Sequence, residues 1–372
     1  MSDLLVTAHT PTLGTGRALR VYGLTRALAA LGPVDLVYTV FGAAEPAPEY
    51  AVENVRLHAV TPSRGARRAV AYARARLRHV PAGYARGVSA ELARAVDRLA
   101  TRETTRIIAD GPTVAATLLG LAARREVIYN SHNIESDLRA SLPESASRYV
   151  SSAEVERFER LLLERYHETW VVSAADESRA RTLVDSARLR YVPNVVDVAT
   201  TPVARPSGSK RLLFAADFSY SPNRDGLAFL LDDVMPAVWA RLPEARLVLT
   251  GRSLELPDGT DARVEARGFV DDLDAVYAAV DCVAVPLRLG GGSPLKFVEA
   301  LAHGLPVVAT PLAARGLDLE RDRDYLAADT AEAFAGAVVT ALTGDALELR
   351  RHARAAAEAR YSIESLTRLL AA

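Results

Sequence analysis

Lys296 and Glu299 are two side chains whose types and spacing fit the binding of a charged ligand in this 372-residue chain. They stand three apart on a predicted helix, so they share one face and are separated by roughly 4.5 Å along its axis. Gly290, Gly291 and Gly292 come shortly before this helix. The free N–H groups of a helix start and an ammonium favour a phosphate, while a carboxylate one turn deeper can accept hydrogen bonds from two hydroxyls. The spacing also fits an ordinary surface pair.

Lysine is rare in this chain, which makes the position of Lys296 informative. Lys210 is the only other lysine, against 43 arginines. A compact ammonium is not interchangeable with a planar guanidinium. We therefore expect Lys296 to have a specific role.

The elements around Lys296 have clear sequence signals. The apolar runs CVAVPL and PVVAT predict buried parallel strands at residues 282–287 and 306–310. Between them, Ser293 is suited to cap a helix, Pro294 to occupy its first position and Gly304 to end it. The unit is a strand, a glycine loop, a helix and a strand, which is a right-handed crossover by default.

Two further segments hold candidate ligand-binding residues. A predicted first strand, residues 4–9, precedes a loop with Gly14 and Gly16 and a helix over residues 17–31, the usual opening of a nucleotide-binding fold. His132 lies in a polar cluster after the strand predicted near residues 126–130. Ligands of open parallel sheets lie beyond the carboxyl ends of the strands, so His132 is placed for chemistry, although a lone histidine is also often structural.

Composition limits the class of protein. The length predicts two domains, and 49% apolar with 24% charged residues predicts a globular chain. A net charge of −1 argues against a dedicated nucleic-acid binder. The single cysteine, Cys282, excludes a disulfide framework and fits a reducing compartment. With no membrane-length apolar run and no signal-like N-terminus, we expect a cytoplasmic protein. No metal-ligand motif is visible.

Strand and helix patterns alternate on both sides of residues 199–209, a stretch rich in proline, serine and glycine. This organisation predicts an α/β protein with two Rossmann-like, doubly wound parallel-sheet domains. We expect an N-terminal domain over residues 1–198, a linker over 199–209, a C-terminal domain over 210–360 and a terminal helix over 361–372.

Residues 54–90 contain eight arginines and no acidic residue. Part of this segment predicts a helix whose apolar side carries Val70, Ala73, Leu77 and Val80. The arginines could bind an anionic acceptor or an acidic membrane surface. In the second case, segment 64–79 would be a peripheral contact at the inner membrane face. A solvated helix in an arginine-rich protein is the alternative.

Several motifs taken together resemble glycosyltransferase family 4, the retaining, nucleotide-sugar-dependent enzymes of the GT-B fold. The resemblance covers nearly the whole chain and is strongest in SPLKFVEALAHGLPVVAT and the preceding RGFVDDLDAVYAAVDCVAVPL. It continues in FSYSPNRDG, HNIES and PNVVD. The resemblance implies two domains that face each other across a cleft, with the donor held mainly by the second domain.

The resemblance also implies roles for individual residues. Glu299 matches the family's ribose-binding glutamate, while Lys296 and the backbone of residues 290–293 would face the diphosphate and the sugar. His132 matches a first-domain histidine near the transferred sugar. Gly14 and Gly16 match the glycine loop that approaches the donor.

The chain departs from the family pattern in two places. Gly291 occupies the position of the motif's first glutamate, so backbone N–H groups would have to replace that carboxylate. The arginine and lysine common in the second domain's first loop are not clearly present, and Arg224 is the nearest candidate for one of them.

The resemblance implies a metal-independent glycosyltransferase. It would move a sugar from a nucleoside-diphosphate sugar to a glycan, a lipid-linked sugar or a small natural product, without a further cofactor. A sugar-nucleotide 2-epimerase and a catalytically silent partner protein of the same fold are the alternatives. The base, the sugar and the acceptor are not determined by the sequence.

Overall fold

The computed structural model describes residues 2–40, 44–141, 151–290, 293–344 and 346–372. The chain divides into two compact units. The first unit comprises Met1–Pro193 and Leu366–Ala372, and the second comprises Asn194–Ser365.

The first unit is built on one parallel sheet. Its strands are β1 Ser2–Thr7, β2 Val34–Thr39, β3 Val55–Val60, β4 Thr104–Asp110, β5 Ile128–Asn130, β6 Glu168–Val171 and β7 Leu189–Tyr191. Their order in the sheet is β3-β2-β1-β4-β5-β6-β7, with every pair parallel. Its helices are α1 Gly16–Ala29, α2 Ala66–Leu77, α3 Ala82–Ala85, α4 Ala90–Leu99, α5 Gly111–Ala122, α6 Glu135–Ser141, α7 Ser152–Arg165 and α8 Ala174–Leu183, with a 3-10 turn at Pro48–Tyr50.

The second unit repeats this plan with six strands. They are β8 Arg211–Ala215, β9 Arg246–Thr250, β10 Val264–Gly268, β11 Cys282–Val285, β12 Val307–Ala309 and β13 Leu326–Ala327, in the parallel order β10-β9-β8-β11-β12-β13. The helices are α9 Ser221–Ala228, α10 Met235–Arg241, α11 Leu273–Ala278, α12 Leu295–Ala302, α13 Pro311–Ala314, α14 Ala331–Thr343 and α15 Leu347–Arg360, with a π-helical turn at Phe229–Val234. A last helix, α16 Ile363–Ala371, begins in the second unit and ends in the first.

Both sheets reverse their strand order beside their first strand. The reversal lies between β1 and β4 in the first unit and between β8 and β11 in the second. Ligands of such sheets bind outside the carboxyl ends of the strands at these points. The predicted doubly wound parallel sheets are therefore confirmed, and each carries one such position.

The packing of α12 explains its fixed position in the second unit. Phe297, Val298 and Leu301 have no exposed surface and belong to the core that also contains β11, β12 and α15. The helix ends at Gly304, whose φ of 64° allows the N–H of Leu305 to bond the Ala300 carbonyl at 3.0 Å. The predicted glycine stop is confirmed.

Two local sequence patterns differ from the structure. Gly111 and Pro112, a dipeptide typical of turns, begin α5. The predicted apolar side of the arginine-rich helix faces solvent: Val70, Ala73 and Leu77 are exposed on α2, while Val80 is buried but lies beyond the end of the helix. Periodicity identifies a face of a helix but not the neighbour that covers it.

The unit boundary also lies elsewhere than the linker proposed from composition. Contacts between residues place the boundary of the two units after Pro193, so residues 199–209 belong to the second unit. Ala204 there donates its N–H to the His303 carbonyl at 2.8 Å, and Ser207 donates its N–H to Asp281 at 2.8 Å. Local composition does not reveal these hydrogen bonds, because their partners are distant in the sequence and lie in the second unit.

Candidate functional site

Helix α12 begins later than its sequence predicts. Pro294 is the N-cap, with φ −72° and ψ 116°, and no side chain caps the first turn. Ser293, the predicted cap, is buried, and its hydroxyl has no hydrogen-bond partner among the described residues. Its carbonyl instead accepts a 2.8 Å bond from Asn194 Nδ2. The first N–H groups of α12 are therefore not satisfied by a side chain.

Lys296 lies on the first turn of α12 and is held by α9. Its Nζ donates to Asn223 Oδ1 at 2.7 Å and lies 4.7 Å from the centre of the Phe214 ring. Asn223 is oriented in turn by its own Nδ2, which donates to the Asp217 carbonyl at 2.8 Å. Burial lowers the pKa of Lys296 to about 7, although the nearby Glu299 opposes the shift. No carboxylate among the described residues forms an ion pair with this ammonium.

Glu299 lies on the same helix but has different neighbours. Its carboxyl interacts with Tyr277 of α11, and burial raises its pKa to about 7, against the attraction of Lys296. The negative charge of Asp274 on α11 raises it further. Among the described residues, Lys296 and Glu299 make no mutual salt bridge, and each is held by a different neighbour.

The loop between β11 and α12 packs against the start of α9. Gly290 has a φ of 105°, and a side chain there would come within 3.6 Å of both Tyr220 and Pro222. Arg288 in the same loop makes a two-bond ion pair with Asp225, at 3.0 and 2.8 Å. These contacts bring the loop and α9 together at the point where the sheet reverses. Gly291 and Gly292 lie outside the described residues.

Arg224 does not join this cluster through its side chain. Its guanidinium donates to the carbonyls of Phe218 and Ser219, at 3.1 and 2.9 Å, and so stabilises the loop between β8 and α9. The side chain is otherwise exposed. A role in binding a ligand directly stays a prediction.

His132 forms the centre of a second cluster, in the first unit. Its Nε2 lies 2.7 Å from Asp110 Oδ1 at the end of β4. Burial opposes ionisation of Asp110, but His132, Arg17 and a bond from Asn130 outweigh it and lower the carboxyl's pKa. The ionised carboxylate therefore accepts from Nε2–H, which leaves Nδ1 of His132 for a ligand.

Asp110 is the residue that assembles this cluster, and its role was not predicted. It also accepts from Thr7 Oγ1 at 3.2 Å and from Asn130 Nδ2 at 2.8 Å, at the reversal between β1 and β4. Buried Arg20 donates to Asn130 Oδ1 at 2.5 Å. The rarity of asparagine was a signal in the sequence for both clusters. Asn130, Asn194 and Asn223 are three of only five asparagines in the chain, and each makes a hydrogen bond in one of the clusters.

Gly14 and Gly16 lie at the exposed start of α1, where Thr15 caps the helix by accepting from the Ala18 N–H at 3.2 Å. Arg17, which follows them, donates to His9 Nε2 at 3.0 Å. Burial and the charge of Arg17 lower the pKa of His9, so this histidine is a neutral acceptor. The glycine loop thus leads into the charged surroundings of Asp110.

Five of the predicted site residues therefore lie in two groups. Lys296, Gly290 and Ser293 gather at the start of α12, with Glu299 one turn along. His132 joins Asp110 in the first unit. Within the described ranges, His, Cys, Asp and Glu form no group of three that could hold a metal ion. An open pocket of about 480 Å³ beside Tyr325 is lined by none of the predicted residues.

A family model matches part of the second unit. Residues 209–344, which contain the α12 cluster, match the family model described as glycosyl transferases group 1. A comparison with curated protein sequences finds no match.

Solved structures match the whole chain. HepE of Anabaena, crystallised with UDP and glucose, is 17% identical with a TM-score of 0.70, over 100% of this chain and 98% of that one. Sucrose-phosphate synthase of Thermosynechococcus elongatus is 17% identical with a TM-score of 0.72, over 100% and 97%. A variant of S. aureus TarM, crystallised with fondaparinux, alpha-GlcNAc-glycerol and UDP, is 10% identical with a TM-score of 0.74, over 100% and 99%. The chain has the GT-B fold.

Proposed function

We propose that the chain is a retaining glycosyltransferase of family 4. It moves a sugar from a nucleoside-diphosphate sugar to a glycan, a lipid-linked sugar or a small-molecule hydroxyl, without a metal ion. UDP-sugars are the first donors to test, because UDP is bound in the structures of HepE and TarM. The observation that carries the proposal is the Lys296–Asn223 contact at the start of α12, inside the segment that matches the glycosyltransferase model.

The chemistry follows from the uncapped start of α12. Its N–H groups and the ammonium of Lys296 would receive the diphosphate and stabilise the negative charge that develops as the sugar leaves. Glu299 would accept hydrogen bonds from the ribose hydroxyls. His132, oriented by Asp110, would bond a hydroxyl of the transferred sugar through Nδ1.

Retention of configuration needs a route without a protein nucleophile. No carboxylate pair suited to double displacement is recognisable in the sequence, such as most retaining glycosidases use. The departing phosphate would instead take the proton of the acceptor hydroxyl on the same face of the sugar. The new bond then forms on the side from which the diphosphate leaves.

The test combines nucleotide binding with sugar transfer. Wild type, Lys296→Ala, Glu299→Ala and the control Lys210→Ala would be screened by thermal shift against UDP, GDP, ADP, TDP and CDP, then assayed with the matching sugar donors. A nucleotide at a hundred times its Kd adds about 2.7 kcal/mol to the free energy of unfolding. Lys210 is the matched control, because it is the only other lysine and pairs with Glu244.

We expect one nucleotide to stabilise wild type and Lys210→Ala equally. Lys296→Ala should lose transfer by about 100-fold or more, the size of a lost oxyanion donor. Glu299→Ala should bind the nucleotide about tenfold more weakly. Full turnover of both variants with every donor contradicts the assignment. Donor isomerisation without acceptor points instead to an epimerase, and nucleotide binding without turnover to a silent protein.

A further inference from the structure

Helix α2 directs its apolar residues away from the protein. Val70 is 49% and Leu77 81% exposed, and Ala66 and Ala73 are also exposed. These four residues, spaced i, i+4, i+7 and i+11, form one line along the helix, here called the outer stripe. Ala75, on the opposite side, is buried. A helix on the surface of a globular domain normally buries its apolar residues and exposes its polar ones. The outer stripe therefore requires an explanation.

Arginines without partners lie beside the outer stripe. Among the described residues, the side chains of Arg64, Arg67, Arg74 and Arg78 make no ion pair and no hydrogen bond. Arg67 and Arg74 stand seven residues apart, so they flank the outer stripe on one side. Residues 54–90 contain no acidic residue that could neutralise them.

The remaining arginines of α2 have structural roles. Arg76 points towards the protein, where its guanidinium pairs with Glu154 at 2.5 Å. Arg68 donates to the Arg86 carbonyl at 3.4 Å. The helix is thus attached by one side, while its other side combines apolar surface with uncompensated positive charge.

We propose that the outer stripe and its arginines dock α2 onto a lipid bilayer with anionic headgroups. Apolar side chains would enter the boundary between headgroups and acyl chains, and the guanidinium groups would bind lipid phosphates. Helix α2 would lie in the plane of the surface, with the outer stripe towards the acyl chains. No described helix has the length and apolarity to cross a membrane.

Two other occupants fit the surface less well. A nucleic acid would use the arginines but leave Val70 and Leu77 exposed to water. A second copy of the chain would bring two arginine-rich faces together, and their like charges repel. An anionic bilayer satisfies both the apolar stripe and the positive charge.

The test measures partition onto extruded vesicles by sedimentation. The full chain would be mixed with vesicles of phosphatidylcholine alone, and with vesicles that also contain phosphatidylglycerol. The variants are Arg67→Ser/Arg74→Ser and Val70→Ser/Leu77→Ser. The matched control is Val203→Ser/Arg205→Ser, which removes one exposed apolar residue and one exposed arginine from the second unit. Circular dichroism and thermal unfolding confirm that each variant is folded.

We expect binding only to the anionic vesicles, weakening as salt rises. At about 1 kcal/mol per arginine, the arginine variant should bind roughly 25-fold more weakly. The apolar variant should bind about tenfold more weakly, and the control should bind like wild type.

Three results would overturn the proposal. One is a failure of the wild type to bind anionic vesicles. Another is vesicle binding that is unchanged in Val70→Ser/Leu77→Ser and is matched by equally strong binding to a soluble polyanion. That result would identify a purely electrostatic surface. The third is self-association that Leu77→Ser abolishes in the absence of lipid, which identifies a second copy. The proposal concerns α2 alone, so a result at Lys296 neither supports nor weakens it.

Discussion

Lys296 is the residue whose environment has the clearest functional consequence. Burial lowers its pKa to about 7, and Asn223 holds the ammonium in place without supplying a compensating charge. A charge kept in such a place costs stability, because desolvation disfavours the ionised form. A bound diphosphate would supply the missing negative charge.

Nucleotide affinity should fall as pH rises above about 7. In the free protein Lys296 loses its proton in that range, and the ionisation of Glu299, whose pKa is also about 7, adds negative charge nearby. Both changes weaken the binding of an anion. Titration calorimetry with the nucleotide that binds should show a loss of about tenfold between pH 7.5 and 9.

The matched variants separate Lys296 from other titrating groups. Lys210→Ala should keep the pH dependence, and Lys296→Met should bind weakly at every pH. A variant Lys296→Met with the wild-type slope would show that another group controls binding.

The lowered pKa of Lys296 also predicts that Lys296→Met stabilises the folded protein, although the same variant weakens nucleotide binding. The folded-state pKa of about 7 lies below the usual value near 10.4, so the unfolded chain binds more protons between these limits. The cost of the charge is fully present below pH 7 and disappears as pH rises towards 10.4. We therefore expect Lys296→Met to be more stable than wild type by about 1 kcal/mol at pH 6, measured by urea unfolding. A marked loss of stability there would indicate a structural lysine.

Residue identities indicated part of the candidate site. The rarity of lysine indicated Lys296, and the position of His132 after a strand indicated a ligand-facing residue. Asp110 and Asn223 were not predicted as site residues, because their roles depend on partners 22 and 73 positions away in the chain. Only the sheet topology brings those partners together.

At the scale of elements, the start of α5 is shaped around the ring of His132. Gly111 has a φ of 77°, and a Cβ there would lie 3.1 Å from His132 Cε1. We expect Gly111→Ala to displace the ring from Asp110 and to lower kcat about tenfold or more. The left-handed backbone adds a stability cost of about 1–2 kcal/mol.

Gly120→Ala is the matched control in the same helix. A Cβ at Gly120 meets nothing within 4 Å, and alanine in a helix interior is favourable by about 0.5–1 kcal/mol. Steady-state assays and thermal unfolding of both variants check the expectation. Equal activity of the two variants would show that the ring position of His132 is unimportant.

Element ends were predictable where local chemistry decides them. Gly304 ends α12 as expected, because the left-handed conformation requires no distant partner. Ser293 failed as a cap because Pro294 is extended, and because Asn194, 99 positions away, holds the Ser293 carbonyl. Local preference gave way to a tertiary hydrogen bond.

At the scale of the whole molecule, the chain returns to its first unit at the end. Leu366 and Leu370 are 1% and 5% exposed. Arg106 of β4 donates to the Leu370 carbonyl at 3.1 Å and Arg190 of β7 to the Leu369 carbonyl at 2.6 Å, so side chains of both strands hold the tail. The first unit is therefore assembled from both ends of the chain.

Removal of residues 366–372 should weaken the first unit. Two buried leucines and two charge-assisted hydrogen bonds are lost, which together contribute about 4 kcal/mol. Hydrogen exchange should accelerate in β4 and β7. A chain that ends at Leu370 lacks only two exposed alanines and should exchange like wild type. Unchanged exchange in the shorter chain would contradict the role of the tail.

The lowered pKa of Lys296 also makes it a chemical handle. Amine-reactive reagents attack the unprotonated form, which is a large fraction of this side chain at pH 7. Because the chain has only one other lysine, a small uncharged amine reagent should label Lys296 selectively, and a bound nucleotide should protect it by keeping it protonated. Peptide mass spectrometry of that protection could then report occupancy of the proposed donor site in crude extracts, without any assay of the acceptor.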